Sequence, residues 1–228
     1  MNNDVYSQKP WLKHYDKHVS PTLTYETKSF AEKFSEIVQK YPDKTALIYM
    51  GTHITFKQLD ELSNRLANYL LGIGLKPDDV VGLHLPNIPA HYIGVVAVQK
   101  GGGVSTGLSP LLTPSEMEHQ LNDSRTKVVI TLDILFEKIT EVSNSSPFTH
   151  VVVTEIADFL PGIKRVLGKL LKKIPTAPVN PLKGKELARF MDVIKQSLPT
   201  LVLVKRNWED MIFMMYTGGT TGPAKGAI

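Results

Sequence analysis

Short apolar runs alternate with amphipathic segments through most of the first 154 residues, and this alternation limits the folds open to the chain. Val80–Leu85 is a short apolar run, suited to a strand that is buried on both faces. The region 59–73 instead carries leucines at helical spacing. Strand candidates are Thr45–Met50, His53–Thr55, Val80–Leu85, Val104–Thr106, Lys127–Thr131 and His150–Thr154. Helix candidates are Ser29–Lys40, Leu59–Ile73, Pro89–Val98, Pro114–Asn122 and Leu132–Val142. Alternating strands and helices predict an α/β layered fold, with a mostly parallel sheet flanked by helices.

Two motifs mark the starts of helices. Thr55 with Gln58, and Thr113 with Glu116, have the spacing of a capping box. In such a box the two side chains satisfy backbone N–H groups that the first turn leaves free. Pro114 adds a proline at the first helical position, where its missing N–H costs nothing.

Two stretches fall outside the alternation. Residues 1–28, here called the leader, are predicted to be extended, with Trp11 and Tyr15 as anchors. Residues 157–199 contain five prolines and a basic segment, and they are predicted to form an insertion carrying two helices. Further strands are predicted at Leu201–Val204 and Met211–Tyr216, the latter leading directly into a glycine-rich stretch.

Composition and charge exclude several classes of protein. The 228 residues are 42% hydrophobic and 21% charged, as in an ordinary globular chain. With no cysteine there can be no disulfide, thiolate metal site or cysteine nucleophile. No signal peptide or run of roughly 18 apolar residues is present, so we expect a cytoplasmic protein. Between residues 160 and 189 eight lysines and arginines stand against one glutamate, a charge of +7, so the rest of the chain carries −3 of the net +4. Such local basicity does not predict nucleic-acid binding.

The densest candidate site is the segment YTGGTTGPAKG, which follows the apolar strand Met211–Tyr216. Phosphate binding needs backbone N–H groups that converge on an anion, and glycine permits this because it lacks a Cβ. Threonine hydroxyls and a lysine ammonium add further donors. The pattern predicts a phosphate-binding loop rather than a glycine-rich surface turn. The candidate residues are Tyr216, Thr217, Gly218, Gly219, Thr220, Thr221, Gly222, Pro223, Ala224, Lys225 and Gly226.

The spacing within this segment excludes two better-known phosphate motifs. A Walker A loop needs Gly-Lys-Ser/Thr, whereas Lys225 stands between Ala224 and Gly226. The G-x-G-x-x-G fingerprint of dinucleotide-binding folds does not fit the segment either. The segment instead resembles the signature loop of the AMP-binding, adenylate-forming superfamily, in which the usual ending is x-Pro-Lys-Gly. Here Ala224 replaces the commoner proline, and Pro223 lies one place earlier.

Upstream segments resemble one branch of that superfamily, the long-chain fatty-acid–CoA ligases. They are Lys9–Asp16, Tyr41–Gly51, Ile54–Ala67, Leu108–Ser124 and Ile156–Pro175. The resemblance implies that residues 29–228 form the N-terminal half of an acyl-CoA-synthetase-like adenylation domain. It also implies an activity in which a fatty-acid carboxylate attacks the α-phosphorus of ATP, releasing pyrophosphate, before CoA displaces AMP from the acyl-AMP. ATP, Mg²⁺ and CoA are the implied cofactors and co-substrates. Thr217–Lys225 would cradle the β- and γ-phosphates, and Lys225 would offset their charge.

The resemblance also implies that much of an active site lies beyond Ile228. In the family, the adenine, ribose, magnesium and acyl contacts follow the loop, as does a small C-terminal domain with a catalytic lysine. We therefore expect this chain to be an N-terminal part that lacks ligase activity alone, with no catalytic residue or metal ligand of its own. Two alternatives remain: a ligase for another carboxylic acid, or a non-catalytic nucleotide-binding or membrane-associating fragment.

Three further patterns have a plain structural interpretation beside a functional one. Ile163–Ile174 predicts an amphipathic helix, which either packs on the domain or binds anionic lipid through its basic face, placing the protein at the inner membrane surface. Ser105 lies in a G-x-S-x-G pattern that lacks the strand–turn–helix context of a hydrolase elbow, so we interpret it as part of a buried strand. His14 and His18 lack a third ligand and predict no metal site.

Overall fold

The computed structural model of the protein describes residues 5–162, 164, 171, 173–201, 203–219 and 222–227. The strands in these ranges are β1 (Thr45–Tyr49), β2 (Thr52–Thr55), β3 (Val80–His84), β4 (Val104–Gly107), β5 (Val128–Leu132), β6 (His150–Thr154), β7 (Glu186–Arg189), β8 (Phe213–Gly219) and β9 (Gly222–Ala227). The α-helices are α1 (Val5–Gln8), α2 (Phe30–Lys40), α3 (Phe56–Gly72), α4 (Pro89–Lys100), α5 (Pro114–Asp123), α6 (Phe136–Val142) and α7 (Phe190–Gln196). Short 3₁₀ helices span Pro10–His14, Asp133–Leu135 and Ile156–Phe159.

A seven-stranded sheet organises the domain, in the order β7-β6-β5-β3-β4-β8-β9. Its first six strands run parallel, and β9 joins β8 in the antiparallel direction. Every residue of β3 and β5 is buried, as their apolar sequences require. The predicted α/β fold with a mostly parallel sheet is therefore confirmed.

Helices cover both faces of the sheet, and each face has its own hydrophobic core. One core joins residues of α2, α3, α4 and α7 to the sheet, with Leu66 and Ile93 wholly buried in it. The other joins α5 and α6 to the opposite face, with Met117 and Ile139 wholly buried. Because side chains alternate along a strand, neighbouring residues of β5 enter different cores: Val129 belongs to the second and Ile130 to the first.

The predicted capping boxes form. Thr55 Oγ1 accepts from the Gln58 backbone while the Gln58 side chain accepts from the Thr55 backbone, at 3.2 and 2.9 Å. Thr113 and Glu116 repeat the pattern at the start of α5. A third box, between Ser29 and Glu32, starts α2. These contacts fix where the helices begin.

The hairpin of β1 and β2 turns through two residues. Met50 and Gly51 have φ values of 49° and 89°, which is the left-handed pair that a tight two-residue hairpin needs. Gly51 takes this conformation without a steric cost.

The predicted insertion, residues 157–199, contains part of the main sheet. Glu186–Arg189 forms β7, which pairs in parallel with β6, and Phe190–Gln196 forms α7. The sequence pattern does not predict this strand because it has four residues, with a charge at each end. The predicted amphipathic helix 163–174 lies mostly outside the described residues. No strand is found at positions 201, 203 and 204, where the backbone N–H of Val204 instead donates to Lys100 O at 3.1 Å.

The leader is not fully extended, since α1 and the 3₁₀ helix Pro10–His14 lie within it. Trp11 and Tyr15, the predicted anchors, are 38% and 45% exposed. The boundary between the leader and the domain stays a prediction. No helix in the described ranges is both long and apolar enough to cross a membrane.

Candidate functional site

Strand β8 carries the glycine-rich segment to the carboxyl edge of the parallel sheet. It pairs with β4 only through Phe213 and Met214, which oppose Ser105 and Thr106. The predicted strand Met211–Tyr216 therefore begins two residues later than expected and runs on to Gly219. Ligands of open α/β sheets bind at this carboxyl edge.

The segment predicted as a loop forms an antiparallel hairpin, here called the glycine hairpin (residues 213–227). Its register pairs Tyr216 with Gly226 and Gly219 with Gly222. Thr220 and Thr221 lie outside the described residues. Most of the predicted loop is therefore strand, because Gly222–Ala227 pairs with β8.

Thr217 and Lys225 are directly opposite each other in this register. Opposed residues of an antiparallel pair project from the same face, so the two side chains are neighbours on one face of the hairpin. Both residues are exposed, and Lys225 forms no ion pair with any described residue. The pair offers hydrogen-bond donors and one positive charge to an incoming anion.

Helix α5 lies against the other side of the glycine hairpin. The Tyr216 hydroxyl donates to Asp123 Oδ2 at 2.6 Å. His119 Nε2 is 2.9 Å from the carbonyl oxygen of Ala224. Burial, followed by the hydrogen bond to Asp123, raises the pKa of Tyr216, so its phenol stays protonated and keeps donating.

A cavity of about 690 Å³ lies between α5 and the glycine hairpin. It is lined by Gly107, Ser109, Leu112, Ser115, Glu116, His119, Gln120, Tyr216, Gly222, Pro223 and Ala224. Gln120 is 5% exposed, and its side-chain oxygen has no partner among the described residues. The backbone N–H of Thr113, and then its hydroxyl, lower the pKa of Glu116, which keeps a negative charge at the cavity wall.

The structure brings only part of the predicted site together around this cavity. Tyr216, Gly222, Pro223 and Ala224 line it. The remaining described candidates, Thr217, Gly218, Gly219, Lys225 and Gly226, lie on the hairpin but do not line the cavity. The role of each candidate in binding phosphate stays a prediction.

His119 and Asp123 were not among the predicted site residues. The polar residues Glu116, His119, Gln120 and Asp123 have the spacing i, i+3, i+4, i+7, which places them on one face of α5. The polar face can be recognised in the sequence, but no pattern of neighbouring residues predicts which part of the chain it contacts.

Ser105 is 1% exposed within β4, in agreement with its interpretation as part of a buried strand. The Gln99 amide lies 3.4 Å from the Ser105 hydroxyl. Among the residues that the structure describes, no base hydrogen-bonds to this hydroxyl as a serine nucleophile requires.

Comparison with known proteins identifies the class to which this fold and edge site belong. The model of the AMP-binding enzyme family matches residues 34–228, so the chain belongs to that family. The resemblance stated from the sequence is thereby confirmed.

Within the family, the chain is similar to curated long-chain-fatty-acid–CoA ligases. It is 32% identical to the one from Bacillus subtilis (strain 168) over 226 residues, which covers 98% of this chain and 40% of that protein. It is 31% identical to the one from Escherichia coli O157:H7 over 229 residues, covering 97% of this chain and 40% of that protein. The chain thus spans about 40% of the length of these relatives.

Solved structures share the fold. An anthranilate CoA ligase in complex with anthranoyl-AMP matches with a TM-score of 0.72 at 24% identity, over 89% of this chain and 35% of the other. A long-chain-fatty-acid-CoA ligase from Archaeoglobus fulgidus matches with a TM-score of 0.70 at 23% identity, over 90% and 37%. At these identities the likeness concerns architecture alone.

Proposed function

We propose that this chain is the N-terminal part of an ATP-dependent ligase that activates a long-chain fatty acid as acyl-AMP and passes the acyl group to CoA. The observation that carries the proposal is the exposed pair of Thr217 and Lys225, side by side at the carboxyl edge of a parallel sheet. Membership of the AMP-binding enzyme family and the names of the curated relatives support it.

The chemistry assigned to the glycine hairpin is electrostatic. A carboxylate oxygen forms a bond to the α-phosphorus of ATP, and the bond from that phosphorus to the bridging oxygen breaks, so pyrophosphate leaves with the electron pair. Negative charge therefore increases on the β- and γ-phosphates in the transition state. Donors fixed beside that charge lower the barrier, because they need not reorganise when it develops. In this proposal Lys225 supplies the positive charge and Thr217 a hydroxyl donor.

The family's reaction implies Mg²⁺ beside the triphosphate. Among the described residues no group of three histidine, aspartate or glutamate side chains lies close enough to hold a metal ion. We therefore assign no Mg²⁺ ligand to these residues and derive no step through the ion. ATP and CoA enter the proposal as substrates of the reaction.

The fatty-acid substrate rests on the curated relatives, since both are long-chain-fatty-acid–CoA ligases and are similar along nearly the whole chain. The anthranilate CoA ligase shares the fold, so another carboxylic acid is the competing candidate. ATP–pyrophosphate exchange in the enzyme that carries this chain separates them. Exchange that depends on palmitate supports the proposal, and exchange that depends only on anthranilate or benzoate contradicts it.

Substitution of Lys225 tests the role of the glycine hairpin. A charge-assisted hydrogen bond contributes roughly 1.5–3 kcal/mol, so Lys225→Ala should weaken ATP binding and slow exchange by about tenfold or more. Binding, by calorimetry, and ATP–pyrophosphate exchange are both measured on the enzyme that carries this chain. Lys127→Ala is the matched control. Lys127 immediately precedes β5, so it lies at the amino ends of the parallel strands, away from the carboxyl edge that holds the glycine hairpin. Equal affinity and exchange in Lys225→Ala and the wild type would remove Lys225 from the site.

We also propose, from the sequence alone, that the basic segment 163–174 binds anionic lipid, near which a fatty acid partitions. Sedimentation with vesicles of phosphatidylcholine, with and without phosphatidylserine, tests this. Binding that needs phosphatidylserine and weakens at high salt supports the proposal, and binding indifferent to both contradicts it. The cytoplasmic location and the inactivity of the chain alone stay predictions.

A further inference from the structure

Helix α5 holds each strand of the glycine hairpin through a separate side chain. On β8, the Tyr216 hydroxyl donates to Asp123 Oδ2 at 2.6 Å. On β9, the carbonyl oxygen of Ala224 lies 2.9 Å from His119 Nε2. Two bonds from one helix to two strands restrain the hairpin more than a single bond, because they also oppose its rotation about either contact.

The sheet itself supports only the base of the hairpin. The pairing of β8 with β4 is confined to Phe213 and Met214. Tyr216 lies two residues beyond the last of these pairs, and β9 is the edge strand of the sheet. From Met215 onward the two strands are paired with each other, and α5 supplies the side-chain bonds that connect this part to the domain.

Helix α5 is suited to this task because it is itself firmly seated. Met117 and Leu121, on its inner face, are wholly buried. The capping box of Thr113 and Glu116 closes its first turn. A residue on the outer face of such a helix keeps its position without help from the hairpin.

The chemistry of the two bonds specifies their donors. A carbonyl oxygen only accepts hydrogen bonds, so His119 must carry a proton on Nε2, as one neutral tautomer and the imidazolium both do. Asp123 accepts from a phenol that stays protonated. A glutamine at position 119 would retain an N–H donor at similar reach, whereas a leucine would fill the space without one.

We infer that His119 and Asp123 are positioning residues, which hold the glycine hairpin so that Thr217 and Lys225 face the phosphates together. This inference rests on the proposed function, in which the hairpin binds the triphosphate. Neither residue contacts phosphate in this account. Their effect passes through Ala224 and Tyr216.

Hydrogen exchange of backbone amides tests the positioning without any ligand. In the 228-residue chain, peptides covering residues 213–227 should exchange about tenfold faster in His119→Leu and in Tyr216→Phe than in the wild type. His119→Gln should exchange at nearly the wild-type rate. Glu118→Ala is the matched control, since Glu118 is on the same helix but off the face that contacts the hairpin. Unchanged exchange in both His119→Leu and Tyr216→Phe would overturn the inference.

Nucleotide binding by the same variants links the positioning to function. The Kd for ATP, measured by calorimetry on the enzyme that carries this chain, should rise about tenfold in His119→Leu and return towards the wild-type value in His119→Gln. If His119 only stabilised the fold, ATP binding would weaken in His119→Leu and His119→Gln in proportion to their loss of stability. The melting temperatures of both variants are therefore measured alongside. If His119→Leu loosens the hairpin but binds ATP as tightly as the wild type, the link to phosphate binding is refuted.

Failure of the proposed function and failure of the positioning role give different results. If the enzyme that carries this chain binds no ATP, the proposed function is contradicted, while the exchange rates of residues 213–227 still report whether α5 holds the hairpin. If that enzyme binds ATP and its variants match it in both measurements, the positioning role alone is overturned.

Discussion

His84 makes the fold sensitive to mild acid. It is wholly buried at the end of β3, where its Nδ1 lies 3.0 Å from Thr131 Oγ1. Its Nε2 has no partner in the part of the chain that the structure describes. Burial, with a smaller contribution from the charge of Lys138, lowers the pKa of His84 from 6.5 to about 4. Between these two pKa values His84 is therefore neutral in the folded state and protonated in the unfolded state.

The magnitude follows from that pKa. Between about pH 6.5 and pH 4 the unfolded state binds the proton and the folded state does not, so the free energy of unfolding falls as the pH falls. Each pH unit within this window costs about 1.4 kcal/mol. Between pH 7 and pH 5, His84 should remove about 2 kcal/mol, and about 3 kcal/mol over the whole window.

Urea unfolding at pH 7 and pH 5, with wild type and His84→Met, measures this contribution. Methionine does not titrate, and the lost contact with Thr131 costs the same at both pH values, so it cancels in the comparison. The free energy of unfolding of the wild type should fall by about 2 kcal/mol more than that of the variant. Parallel pH dependence of the two proteins would refute the reasoning, as would an NMR titration of His84 with a pKa near 6.5.

Three further substitutions test the packing of the domain by urea unfolding. Lys100→Met should cost about 3 kcal/mol, because the buried Nζ has its three N–H donors within 3.2 Å of four oxygens of α3, whereas Lys127→Met on the surface should cost less than about 1 kcal/mol. Similar losses in the two variants would contradict this. Gly102→Ala should cost about 1–3 kcal/mol, since φ is +77° and the new Cβ would lie 2.8 Å from Val204 Cγ1. An unchanged free energy of unfolding in Gly102→Ala would show that the Val204 side chain moves aside without cost. Thr113→Ala should cost about 1 kcal/mol through loss of the cap of α5, and Thr113→Ser should restore most of it.

The regular elements between residues 45 and 154 could be predicted because their signals are local. A buried parallel strand such as Val80–His84 is apolar except for its last residue, and a capping box needs only residues three apart. The strand Glu186–Arg189 could not be predicted in this way. It is short and charged at both ends, and it is a strand because β6 offers it a free edge.

The candidate site likewise has one part that could be predicted from local sequence and one part that could not. The glycine-rich segment was recognisable from its own composition, and its match to a family loop needed no structure. Its conformation was not recognisable, because the pairing of Thr217 with Lys225 depends on the chain folding back on itself. The polar face of α5 was visible in the sequence, but its partners were not.

By itself, the sequence determined the α/β class, the helix starts at Thr55 and Thr113, and the position of the glycine-rich segment. Each of these depends on residues only a few positions apart, so its signal is present in the sequence without knowledge of distant contacts. Only the tertiary structure decided that this segment is a hairpin held by α5. His119 and Ala224 are 105 residues apart, and Asp123 and Tyr216 are 93 apart. Such contacts exist because the sheet brings β4 beside β8 and thereby brings α5 to the hairpin, which no local pattern encodes.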